Sequence, residues 1–179
     1  MDNLSKYLFV VIATILLLGC TTTPQLANMV PYIPNENYYH SNKSLKLGEI
    51  VGGEKSDPLF KGSRIDAISL RGALSIAIQN SHMFQLLNFN QEANYLLNVM
   101  ILSQNQPALG LDMSVSLTVR YYLIDGATKQ VIWSNDITSI YTAKFSDSLI
   151  GASRLNMANE GAVRENIVIF LHEISSLRL

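Results

Sequence analysis

The chain has 179 residues, 15% of them charged, and a formal net charge of −1. With no long basic or acidic block, that balance excludes the electrostatic footprint of a nucleic-acid binder and a polybasic surface for anionic lipid. Cys20 is the one cysteine, so an internal disulfide framework and a cysteine-based metal site are excluded as well.

The first residues are largely polar and include Lys6. Residues 7–18 form an apolar run, and Gly19-Cys20 follows at once. A basic start, a short apolar core and a small-residue cleavage site describe a secretory signal peptide. The run is shorter than the roughly 20 residues a permanent spanning helix needs. Leu17-Leu18-Gly19-Cys20 resembles the lipobox of bacterial lipoproteins, in which the cysteine receives a thioether-linked diacylglycerol and becomes the mature N-terminus. The expected organisation is a cleaved signal peptide over 1–19, a lipidated N-terminus and extended tether over 20–43, and one periplasmic domain over 44–179. Thr21, where an aspartate would mark retention, implies export to the outer membrane under the enteric sorting rule. The mature chain keeps a net charge of −1, because Lys6 and Asp2 leave together.

Pro24, Pro31 and Pro34 make residues 21–43 read as extended. Tyr32, Tyr38 and Tyr39 there are candidates to cover the domain's own surface or to meet a partner. Leu45 to Val51 alternates as a half-buried strand and stops at Gly52-Gly53. Helical periodicity then runs from near Arg64 to Asn80-Ser81. Ile65, Ile68, Gly72, Ile76 and Gln79 trace one edge of it, and Leu70, Ala73, Leu74, Ala77 and Ile78 broaden the apolar side. Ser63 is a candidate cap, and Asp66 suits the first turn. Residues 86–89 form a possible short strand, 95–102 an apolar run of strand length, and 113–123 alternate with period two. A turn at 125–129 leads into a further strand over 131–145, which implies an antiparallel meander. Leu155, Ala158, Ala162, Asn166, Ile169 and Phe170, with Ile174 and Leu177, mark a second helix over 153–177. The order β-α-β-β-β-α implies an α+β two-layer sandwich, an antiparallel sheet of about four strands with two helices on one face.

Signals of catalysis are sparse. His40, His82 and His172 stand apart in sequence, without HExxH or another ligand pair at metal spacing, and no nucleophile elbow or phosphate loop occurs. Asp112, Asp125, Asp136 and Asp147 are spread singly, and Asp125 occupies a turn position that favours aspartate. Met83, Met100, Met113 and Met157 suit core packing better than an adaptable groove. No catalytic residue, metal site or cofactor is expected.

Gly52-Gly53-Glu54 with Asp57-Pro58-Leu59-Phe60, then Gln106-Pro107-Ala108-Leu109-Gly110, resemble a group of small proteobacterial lipoproteins of unknown function. Residues 141–147 and 154–167 extend the match. Phe60 stands where that group carries tryptophan. The resemblance implies a lipid-anchored envelope protein and supplies no catalytic residue. More loosely, the architecture is similar to accessory lipoproteins of envelope transport systems, such as the lipopolysaccharide-export partner.

Arg154, Asn159, Glu160, Arg164 and Asn166 are polar positions on a helix whose other face is apolar. Two roles are open to them: locking the helix start to the preceding strand through Asp147 or Glu160, or presenting a partner surface. Asp147 and Ser148 are placed to cap that helix, and Glu160 and Arg164 are spaced as an i,i+4 pair. The expected function is a non-enzymatic outer-membrane lipoprotein whose domain binds another envelope protein or a lipid. The rivals are an accessory subunit of a lipid or lipopolysaccharide transport system, which needs an apolar groove or a free sheet edge, and a hydrolase or transferase.

Overall fold

The computed structural model describes residues 24–34, 38–53, 64–88 and 91–179. The signal segment, Cys20, Ser63 and the 54–60 part of the motif lie outside them. The elements are α1 (Leu26–Met29), β1 (Ser44–Gly52), α2 (Ala67–Ser81), β2 (Gln85–Leu87), β3 (Tyr95–Asn105), β4 (Met113–Asp125), β5 (Val131–Ala143) and α3 (Gly151–Ser176). A single 3₁₀ turn, Phe145–Asp147, leads into α3.

The strands form one sheet in the order β2-β1-β3-β4-β5. The meander expected from the alternating segments is β3-β4-β5, antiparallel throughout. β1 instead runs parallel to both β2 and β3. The cause lies in the connection: α2 carries the chain back to the end of the sheet where β1 began, so the next strands start beside it. The α+β two-layer reading holds, with five strands rather than four.

β4 shows most plainly why these residues make strands. Met113, Val115, Leu117, Val119, Tyr121 and Leu123 are all buried on one face, and the intervening Ser, Thr and Arg residues point the other way. On that outer face the Thr118 and Thr138 hydroxyls pair at 2.9 Å, and Arg120 Nη2 donates to Asp136 Oδ2 at 2.6 Å.

Both long helices cover the inner face, α2 on β1 and β2, and α3 on β4 and β5. Asp66, outside α2, accepts the Ser69 N–H at 2.7 Å and caps it. His82, in the left-handed conformation at φ 51°, ends it. The buried stripe of α2 is Leu70, Ala73, Leu74, Ala77 and Ile78, whereas Ile68 of the other predicted edge is 81% exposed. Only one of the two apolar edges faces the sheet. α3 buries Ala158, Ala162, Val163, Ile167, Phe170, Leu171 and Ile174, with the Phe170 ring stacked on Tyr121 at 4.4 Å.

Residues 24–34 and 38–43, expected as an extended tether, pack on the domain instead. Short α1 lies against both α2 and α3, and Met29, Ile33 and Tyr38 belong to the core. Gly72 makes this possible, because a Cβ there would stand 2.9 Å from Leu26 Cδ1. The extended backbone expected from the prolines is interrupted by the short helix Leu26–Met29, and the apolar residues between the prolines determined where the segment lies.

Candidate functional site

Four of the five polar residues singled out on the last helix are buried: Arg154, Asn159, Glu160 and Asn166. Arg164 is partly accessible. As a surface offered to a partner this set is therefore corrected, because the chain itself occupies it. Glu160 Oε1 accepts the Gln25 backbone N–H at 2.6 Å and Oε2 accepts the Asn28 side-chain amide at 2.8 Å. Arg164 Nη1 donates to the Asn28 carbonyl at 2.8 Å and its guanidinium lies 5.3 Å from the centre of the Tyr141 ring. The expected Glu160–Arg164 pair is thus replaced by two grips on one strap. Beside them is an open depression of about 500 Å³ lined by Asn28, Tyr141, Asp147, Met157, Glu160 and Arg164.

The strap continues along α3 in one direction. Tyr39 N–H donates to Ser175 Oγ at 2.8 Å, Ser41 Oγ donates to the Leu179 carbonyl at 2.7 Å, and the Tyr38 ring lies 5.4 Å from that of His172. Residues 25–34 and 38–41 therefore lie along α3 between Glu160 and its C-terminal end. Between the long helices the segment packs with Met29 and Ile33 in the core, while at the other seam an open depression of about 290 Å³ lies between α2 and the β1–β2 edge, lined by Leu47, Arg71, Ser75, Gln79, Leu86, Leu87 and Asn88.

Asn159 and Asn166 are held from the sheet side. Gln104 Nε2 donates to Asn159 Oδ1 at 2.6 Å. Asn166 accepts from the Tyr121 hydroxyl at 2.8 Å and donates to the Ile137 carbonyl at 2.9 Å, while Ser139 Oγ donates to the Ala162 carbonyl at 2.7 Å. Burial removes the Tyr121 phenol from water and raises its pKa above the ordinary value. These amides sit in the helix–sheet seam, where each polar atom must find a partner.

Arg154 does lock the start of the helix, though through carbonyls rather than Asp147 or Glu160. Nη1 donates to Ser148 O at 2.6 Å and Nη2 to Gly110 O at 3.3 Å, with the Phe145 ring 5.1 Å away. Asp147 accepts the Lys144 N–H at 2.8 Å and so closes the 3₁₀ turn instead of capping α3. The Phe145 N–H donates to Asp112 Oδ1 at 2.8 Å. Two loops, 106–112 and 144–150, are tied together in this way. Their tips expose Leu109 (89%), Leu111 (73%), Leu149 (81%) and Ile150 (67%). The sequence held this signal in apolar residues bracketed by Pro107, Gly110 and Gly151, where polar loops are the norm.

The other candidates are engaged locally. His40 Nδ1 lies 2.9 Å from the His82 carbonyl oxygen, and the open depression of about 290 Å³ at His82 is otherwise lined by Pro31, Tyr32, Ile33 and Asn80. Asp125 accepts from the Ala127 and Thr128 N–H groups and the Thr128 hydroxyl. The Thr128 bonds are the main cause holding its carboxyl below the ordinary range. Asp136 is likewise lowered, by its bond to Arg120. Met83 and Met113 are core residues, while Met100 and Met157 are exposed, so the four methionines line no common groove. Among the described residues no group of three His, Cys, Asp or Glu could hold a metal ion, and no helix is long and apolar enough to cross a membrane.

No family model and no curated protein matches the chain. Solved structures do. Protein XCC0632 from Xanthomonas campestris, of the family model DUF330, is similar over 87% of this chain and 94% of its own, at a TM-score of 0.64 and 11% identity. A minor lipoprotein from Acinetobacter baumannii is similar over 78% and 96%, with a TM-score of 0.51 and 16% identity. Uncharacterized lipoprotein B from Nitrosomonas europaea is similar over 82% and 90%, at 0.50 and 11%. The likeness is one of fold. Lipoproteins are among the chains that share it, and at these identities no residue role passes from them to this one.

The last feature of the domain is its edge. Among the described residues β5 has a partner strand on one side only, β4, over the full length of Val131–Ala143. At the opposite edge β2 has only three residues. On β5, Val131, Ile132 and Ile140 are exposed, and no lysine, arginine or proline interrupts the strand.

Proposed function

We propose that this protein is a non-enzymatic envelope lipoprotein. It is held through acyl chains on Cys20 at the periplasmic side of the outer membrane, and its domain binds another envelope protein. The lipobox-like Leu17-Leu18-Gly19-Cys20 supports the anchor, as do the lipoproteins among the chains of like fold. The observation that carries the binding role is the unpaired edge of β5. The free side of a thirteen-residue strand whose one charged residue, Asp136, is paired with Arg120 is a template for strand addition, a recurrent mode of peptide recognition. An accessory role in lipid or lipopolysaccharide transport shares this requirement for a free edge.

Two experiments test the reading. Cys20→Ser should release the protein from membranes or stall its processing, and unchanged attachment refutes the anchor. A photoreactive amino acid placed in living cells at Thr138 of β5 should give a discrete adduct with one envelope protein, and that adduct should disappear when Ile140→Lys charges the edge. Equal adducts from Ser114, on the outer face of the neighbouring strand, would refute strand addition.

A further inference from the structure

We infer that the paired loops at the start of α3 form a bilayer-contacting tip. Leu109, Leu111, Leu149 and Ile150 enter the lipid interface beside the acyl chains on Cys20. This rests on the lipid anchor proposed above.

The first ground is composition. Four large apolar side chains, each at least 67% exposed, stand on two loops that Arg154 ties through Ser148 O and Gly110 O. Large apolar side chains exposed together on tied loops mark a contact with a partner or a membrane. Arg154 is itself buried and supplies the stiffness, so the leucines are presented rather than left on mobile loops.

The second ground is the reach of the anchor. The strap runs along α3 from Glu160 toward the helix C-terminus, so Gln25, its residue nearest Cys20, is held in the N-terminal half of the helix. Glu160 lies nine residues from Gly151, which is about 14 Å of helix. Cys20 precedes Gln25 by five residues, a contour of at most about 17 Å. Acyl chains on Cys20 can therefore lie level with Ile150. An anchor this short brings the tip within reach of the bilayer that holds the acyl chains.

Charge identifies the kind of surface. Asp112 and Asp147 at the tip are satisfied by the Phe145 and Lys144 N–H groups, and the basic groups of the two loops and their base are Lys144 and Arg154, the latter buried. No basic cluster is present to select anionic headgroups, so the contact is apolar and indifferent to headgroup charge.

The test uses the lipidated full-length mature protein in phosphatidylcholine vesicles with brominated acyl chains. Native Trp133 lies at the far end of β5 and serves as the internal control. In a Trp133→Phe background, Leu149→Trp and Leu109→Trp each place an indole at the tip, where exposure spares the fold. Both should be quenched roughly two-fold, as expected for side chains about 5–10 Å into the interface, while Trp133 in the native chain is unaffected. The same quenching is expected when anionic lipid is added. Tip tryptophans quenched no more than Trp133 would overturn the inference and leave the surface to a protein or a second copy. Intact mass of the same preparation separates the two readings. Acyl mass without quenching overturns the tip alone, and a chain without acyl mass overturns both.

Discussion

The Glu160 carboxylate accepts the backbone N–H of Gln25 at 2.6 Å across 135 positions of sequence. With its second oxygen on the Asn28 amide at 2.8 Å, one buried side chain of α3 fastens the strap that begins at Gln25. Glu160→Ala removes both acceptors and orphans part-buried donors, at about 1–3 kcal/mol. Lower thermal stability is expected, along with cleavage by added protease within residues 24–34 under conditions where the wild type resists. Unchanged resistance would mean that Met29 and Ile33 hold the strap by themselves.

Gly161 tests packing against propensity. Helix propensity alone expects Gly161→Ala to stabilise α3 by about 1 kcal/mol. A Cβ there would stand 2.3 Å from Cγ of the Tyr141 ring, however, and the Arg164 guanidinium also lies over that ring, 5.3 Å from its centre. The overpacking should win, with a net loss of about 1–3 kcal/mol in denaturant unfolding. In a Tyr141→Ala background the same substitution should become neutral or stabilising.

Asn166 and Tyr121 meet in the helix–sheet seam at 2.8 Å. Asn166→Ala leaves the Tyr121 hydroxyl and the Ile137 carbonyl without this partner and opens a void. A loss of about 2–4 kcal/mol is expected, larger than for Tyr121→Phe, which removes a single hydroxyl. Coincident transitions by fluorescence and circular dichroism would show whether the fold stays cooperative.

Tyr121 also sets an alkaline limit. Burial raises its pKa above the ordinary 10.0, so the fold retains a neutral phenol that the unfolded chain ionises. The associated stability is present below about pH 10 and declines as pH rises further. Urea midpoints measured upward from pH 9 should fall less steeply in Tyr121→Phe than in the wild type.

At the acid end the sign reverses. The carboxyls of Asp125 and Asp136 are lowered from 3.8, the first by Thr128 and the second by Arg120. Their contribution is complete above about pH 5 and is lost as pH falls through and below 3.8. Both groups are exposed, so each effect is small and the Asp136 pair should weaken with salt. Asp125→Ala should flatten the acid limb of the stability profile and loosen the β4–β5 turn, seen as faster amide exchange at Ala127 and Thr128.

Much of the architecture was readable because one physical rule dominates locally. The alternation over 113–123 requires a strand with one buried face, and β4 bears it out residue for residue. The run from Leu155 to Phe170 requires a helix, and α3 supplies it. Reading α2 was harder: Ile68 and Leu70 are equally apolar, and only the position of the sheet decided that Leu70 is buried and Ile68 exposed. The parallel pairing of β1 was hidden for a related reason, since strand direction depends on where the connecting helix returns the chain.

On the polar face of the last helix the sequence left a structural lock and a partner surface both open, and the structure bears out the lock with other partners than those expected. From the sequence, the partners within reach of Arg154, Glu160 and Arg164 are local, the i,i+4 pair and Asp147. Their partners in the structure, and that of Asn166, come from distant chain: Gly110, Gln25, Asn28 and Tyr121. Composition and periodicity by themselves determined the signal-like leader, the single thiol at Cys20, the strands, the helices and the two-layer class, all consequences of contacts within a few residues. The tertiary structure alone decided that Met29, Ile33 and Tyr38 join the core, that β5 has a partner strand on one side only among the described residues, and that four apolar side chains stand on two tied loops. Each depends on segments far apart in sequence meeting in space, and no local pattern records which segments those are.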